Sequence, residues 1–263
     1  MTKNANNNAT NFELRKFFLE YLEKAMNLTK NHPEYDISRN NYHLHSENAK
    51  LALSILDFQT TLNDLVADLK KVEIFIRRFP NKKFYEDNEI GQLDYIKYHY
   101  EVFIHKIHTI LEVKKLAINA IYDIGLKERN CTWKNLKNQK RIKNSAISRI
   151  IEFYYKSFEH IIKHRHLNTH RAYFGDKTND ELKTDYSIYK NSEKFGRDVN
   201  EIFRRIMPQG VVNYRIREYK KERIEYIKSG TEIADTYVEQ FITIILTEFF
   251  NKIMDKNVAQ HRL

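Results

Sequence analysis

Residues 146–170 read AISRIIEFYYKSFEHIIKHRHLNTH. Ile147, Ile150, Ile151, Tyr154, Phe158, Ile161 and Ile162 recur at steps of three and four, as one apolar helix face does. The pattern predicts a helix over 144–163, and its stripe leads to Arg165, so the inward face ends in a guanidinium. His170 follows, with His164 and His166 crowding in. A helix that only packs has no use for this cluster. Five residues turn an ideal helix by about 140° beyond a full revolution. One straight helix therefore cannot aim Arg165 and His170 at one point. Either the helix breaks after Arg165, or a second copy of the chain completes the site.

The same period recurs in both directions along the chain. Residues 44–79 carry Leu51, Ile55, Leu62, Leu69 and Val72, and 91–124 carry Leu93, Ile96, Phe103, Leu111 and Ile118. The last stripe, over 231–255, carries Tyr237, Phe241, Ile245 and Phe249. Only six glycines and three prolines interrupt the chain, which favours long helices over strands and turns. The expected fold is all-α: a bundle of four long helices with a shorter N-terminal helix near 11–28. Pro80 is expected to end the first long helix and Gly125 the second. The stretch 176–230 is more polar and more broken, and reads as an irregular helical and loop insertion before the closing helix. Residues 1–11 read as a disordered leader, and 12–257 as a single domain. The longest strongly apolar run, QFITIILT, is too short to span a bilayer, so no membrane role is expected. With one cysteine and no signal-peptide stretch, the chain reads as cytoplasmic.

The net charge is +10, and most of it is concentrated. Residues 130–171 hold ten Lys or Arg against Glu152 and Glu159. A localised surplus of this kind fits a polyanion. The cluster itself suits phosphoryl chemistry on RNA. An Arg fork grips a phosphate bidentately and stays charged throughout. A histidine titrates near neutrality and can move the proton of a ribose 2′-hydroxyl or of the leaving 5′-oxygen. That reaction needs no metal or other cofactor.

A basic helical bundle with R-(polar)-x-x-x-H late in the chain resembles the HEPN superfamily. Arg165, His166 and His170 match its motif, Tyr173 follows in keeping with it, and the resemblance spans roughly 42–257. It implies a metal-independent endoribonuclease that acts as a homodimer with two motifs facing each other. By the same resemblance Arg165 holds the scissile phosphate, and His170 serves as general base or acid. His166 and Asn168 would orient these groups, and His164 and Arg171 would contact phosphates. It further implies service as a toxin or antiphage-defence effector, with an antitoxin or regulatory partner. Some members of the superfamily are non-catalytic, which leaves an RNA- or nucleotide-binding protein, or an antitoxin-like one, as the alternative.

Other patterns compete. Arg39 and His45, in RNNYHLH, form a second match, but ahead of the first long helix and near a loop. His160 with His164, and His166 with His170, have helical metal-ligand spacing, yet no H-E-x-x-H or E-x-x-H accompanies them. His99, His105 and His108 read as polar-face histidines. YRIREYKKERIEYIK, over 214–228, interleaves Tyr with Arg and Lys, as an RNA-contacting surface or a solvated helix would. There is no phosphate-binding glycine loop and no nucleophile elbow.

Overall fold

The computed structural model describes residues 2–80, 82–162 and 175–260, with side chains from 11 to 254 within those ranges. Among the described residues there is no strand. The helices are α1 (Thr2–Lys30), α2 (Glu47–Arg77), α3 (Lys82–Asp87), α4 (Gln92–Ile121), α5 (Trp133–Lys137), α6 (Ala146–Ser157), α7 (Lys177–Lys194), α8 (Glu201–Ile206) and α9 (Gln209–Gln260). None is long and apolar enough to cross a membrane.

Short polar side chains set several of the helix starts. Ser46 Oγ accepts from the backbone N–H of Ala49, Thr132 Oγ1 from that of Asn135, and Ser145 Oγ from that of Ser148. Each satisfies an N–H that lacks an intrahelical acceptor. α4 ends at Ile121, and Asp123 takes the left-handed conformation (φ 48°) before Gly125 does (φ 72°). The expected glycine stop is thus shared with Asp123. Asn119 secures the exit by bonding both the N–H and the C=O of Leu126.

The expected helices are present, but three boundaries differ. The leader lies within α1. The helix over 144–163 is not continuous: α6 stops at Ser157, Phe158 is a turn, and helix resumes over 159–162. The insertion at 176–230 is largely regular, because α7 fills 177–194 and α9 begins at Gln209. The reason lies in α9's buried stripe, which does not start at 231. Val212, Ile216, Tyr219, Ile227 and Ala234 continue it backwards at helical spacing.

The stretch read as one domain packs as two compact units. The first comprises 1–64, 110–156 and 235–263. Its core holds Phe18, Ile55, Leu62, Ile118, Ile147, Ile151, Phe241 and Phe249, all buried. Phe249 meets Phe18 and Tyr21 edge to face, with ring centres 5.4 and 5.3 Å apart. Lys114 is completely buried here, its amine 4.1 Å from the centre of the Tyr154 ring and without a hydrogen-bond partner among the described residues. A cation over a desolvated ring gains about 2 kcal/mol, whereas stripping an ammonium of water costs several. Burial wins and holds the Lys114 pKa well below its ordinary value of 10.5.

The second unit comprises 65–109 and 157–234. Leu69, Val72, Ile76, Leu93, Ile96, Phe103, Phe158, Ile161, Leu182 and Val212 are buried in it. Phe103 lies against the bare Cα of Gly230, where an added Cβ would stand 2.5 Å from the ring.

Two outcomes follow from this packing. Gly230→Ala gains up to about 1 kcal/mol of helix propensity but forces an overpacked ring, at about 1–3 kcal/mol. The midpoint of urea unfolding should therefore fall. Lys114→Met should raise thermal stability at neutral pH. The unfolded chain binds a proton at residue 114 that the folded chain does not, so stability rises with pH between the depressed folded pKa and 10.5. The advantage of the methionine should shrink as unfolding is measured at pH values closer to 10.5.

Candidate functional site

Arg165, His166, Asn168 and His170 lie outside the described residues, as do His164, Arg171 and Tyr173. Both approaches to them are described, and both belong to the second unit. On the upstream side Phe158 and Ile161 are buried, so the apolar stripe survives the turn at Phe158.

On the downstream side Asp176 caps α7, its Oδ1 accepting from the Asn179 backbone N–H at 3.1 Å. Its Oδ2 accepts from the Tyr219 hydroxyl and from Arg223 Nη2, each at 2.7 Å. The Asp176 side chain is 3% exposed and that of Arg223 23%. A carboxylate so buried persists only if its lone pairs are satisfied, and here a guanidinium, a phenol and a helix N-terminus do so. Asn179 extends the network by donating to the Leu93 carbonyl at 3.0 Å and to the Tyr219 hydroxyl at 3.3 Å. The Arg223 guanidinium lies 4.2 Å from the Tyr100 ring centre and 4.9 Å from that of Tyr219. Burial pushes both phenols up to about 12, so Tyr219 keeps the proton it donates.

A cavity of about 190 Å3 opens between the two approaches. His160 and Ile161 line it from upstream, and Gly175, Asp176 and Lys177 from downstream. Tyr100 and Ile104 of α4 and Arg223 of α9 line it as well. The two ends of the motif segment thus border one hollow that carries an imidazole, an ammonium and a guanidinium.

The basic segment is described in part, within the first unit. Lys134, Lys137, Lys140, Arg141, Lys143, Arg149 and Lys156 are all exposed. Among the described residues none of these seven has an ion-pair partner, so their charge is free for an outside anion.

The competing match is placed differently. Arg39 pairs with Asp36 at 3.1 Å, and its side chain is 81% exposed. His45 Nδ1 shares a hydrogen bond of 2.7 Å with Thr29 Oγ1. Both border a cavity of about 310 Å3 in the first unit, beside Tyr35 and Tyr42. Among the described residues no three His, Cys, Asp or Glu side chains are grouped to hold a metal. His99 departs from the polar-face reading. It is buried, its ring centre 4.4 Å from that of Tyr95, and burial lowers its pKa.

Sequence reasoning missed Asp176, Asn179, Tyr219 and Arg223. The signals were present. D-K-T-N, over 176–179, is an N-cap pattern. Tyr219 and Arg223 sit four apart between Ile216 and Ile227, on the stripe that α9 buries. The stretch 214–228 therefore has a core face, and Tyr219 and Arg223 on it serve the interior.

A family model described as Cthe2314-like HEPN matches residues 55–253. No curated protein and no solved structure matches the chain.

Breaking one partner of a buried pair strands the other. Arg223→Ala and Asp176→Ala should each lower unfolding free energy by about 3 kcal/mol. The double substitution should cost clearly less than the sum of the two, and urea titrations of all four proteins measure that coupling.

Proposed function

The chain belongs to the HEPN family, matched over 55–253, and from that premise we propose that it is a metal-independent endoribonuclease. Arg165 holds the scissile phosphate. His170 takes the proton of the ribose 2′-hydroxyl, whose oxygen attacks phosphorus. The bond to the 5′-oxygen breaks, and that oxygen receives a proton from the acid opposite. The products are a 2′,3′-cyclic phosphate and a 5′-hydroxyl. His166 and Asn168 orient the reacting groups, while His164 and Arg171 contact neighbouring phosphates. Because one helix cannot converge Arg165 and His170, a homodimer brings the motif of one protomer to that of its partner. His170 of each protomer then supplies the complementary proton transfer.

The observation that carries this reading is the hollow bordered by both ends of the motif segment. His160 and Lys177 in its lining suit the approach of a polyanion to the motif, while Arg223 is held by Asp176. The exposed cations between Lys134 and Lys156, in the first unit, add positive charge of the kind that RNA attracts. Such a nuclease suits a toxin or antiphage effector, restrained by an antitoxin-like partner until needed. A purely binding role draws less support, because Tyr219 and Arg223, two of the residues that suggested an RNA-contacting surface, are committed to Asp176.

Arg165→Ala and His170→Ala should each slow RNA cleavage by about 100-fold or more. Circular dichroism should stay unchanged, and EDTA should not affect the wild-type rate. A substrate with 2′-deoxyribose at the cut should resist. Loss of activity on substitution of Arg39 or His45, with Arg165 and His170 dispensable, would move the site to the first unit. Light scattering should give a dimer; a monomer that still cleaves would refute the composite site.

A further inference from the structure

A cavity of about 700 Å3 in the second unit lies farther along α7, beyond the motif. One stripe of that helix lines it, with Lys183, Tyr186 and Lys190 at steps of three and four, and α9 lines it with Asn213 and Arg217. The charges sort into committed and uncommitted. Lys183 pairs with Asp94 at 2.6 Å, and Lys82 faces Glu86 at 3.6 Å. Lys190 and Arg217 are exposed, and among the described residues neither has an ion-pair partner. Tyr186 is 37% exposed. Two free cations and an open ring in one hollow match an anion that carries a flat face.

That description fits a nucleotide unit, either free or within a strand, and the cavity's place along α7 favours the strand. The lining sets Tyr186, with Phe79, Leu93 and Ile216, among cationic and polar side chains. A single-strand track is built in that way, from a stacking ring beside cations. Continuity favours the strand as well. Asp176 and Lys177 border the hollow at the motif, and Lys190 lies on the same helix roughly 20 Å further on.

We infer that this cavity is a distal subsite for the substrate RNA, in which Tyr186 stacks a base several nucleotides from the cut while Lys190 and Arg217 hold the adjoining phosphates. The inference rests on the ribonuclease reading above. Glu89, a lining acid with no cation partner among the described residues, would accept from a 2′-hydroxyl of an RNA bound there.

The test compares wild type with Lys190→Gln/Arg217→Gln and with Tyr186→Ala, on single-stranded RNAs from a dinucleotide up to about twelve nucleotides. All three residues are exposed, so the fold should survive, and circular dichroism checks it. The expected result is a KM for the longest RNA raised about tenfold or more, with the effect growing with length. The slope of log affinity against log salt should fall by about 1.4 for the double variant, two single-strand phosphates' worth. An equal loss at every length would overturn the inference. So would a wild-type rate altered by added AMP or UMP in a way the double variant loses, since the cavity would then serve a free effector. If wild type cleaves nothing, the nuclease reading fails by itself. Fluorescence anisotropy with a labelled oligouridine then decides the subsite: weaker binding by the double variant upholds an RNA track, and unchanged binding removes it.

Discussion

The Asp176 carboxylate is the interaction on which the described part of the site depends. One oxygen starts α7, and the other joins that start to α9 through Tyr219 and Arg223. Its position makes it matter. It lies at the first residues described beyond the motif, so the exit of that segment is pinned to two helices at once. A carboxylate buried with no such donors would lose several kcal/mol. With them, the same burial becomes directional, because a planar fork, a phenol and a backbone N–H fit one arrangement of oxygens. Asn179 carries the arrangement on to the Leu93 carbonyl, which ties α4 to the same point.

Lys114 shows the opposite treatment of a buried ionisable group. Among the described residues no acceptor reaches its amine, which lies over the rings of Tyr154 and Phe241. Asp176 keeps its neighbours in register through hydrogen bonds, whereas Lys114 fills volume and gives up its proton readily. The contrast separates the two units by the kind of order they carry. The first is closed by apolar and aromatic packing around α6. The second has a polar knot beside the motif, and polar knots fix geometry more sharply than apolar contacts do.

Much of this was legible in the sequence. The long stripes and the scarcity of Gly and Pro gave the all-α class. The motif residues gave the family, which the match over 55–253 bears out. The break at Phe158 was not legible, because Phe158 and Ile161 keep the stripe in phase and turn without leaving the core. The regular structure over 177–230 was hidden for a different reason. Arg223 and Tyr219 occupy stripe positions as polar residues, and period-based reading discounts them. Their partner, Asp176, is more than forty residues away in the chain. Spacing can show that a polar residue faces inward, but not which distant group satisfies it.

The contact between Gly230 and Phe103 bears on how sequences of this fold can vary. The ring of one residue occupies the volume that a side chain on the other would need. The two positions therefore share a single allotment of space and are not free to drift independently. A relative with alanine or serine at the position of Gly230 should carry something smaller than phenylalanine at that of Phe103, and a relative that keeps the ring should keep the glycine. Paired change at these two positions, separated by more than a hundred residues, would then be a mark of common descent written by packing alone, with no catalytic role at either.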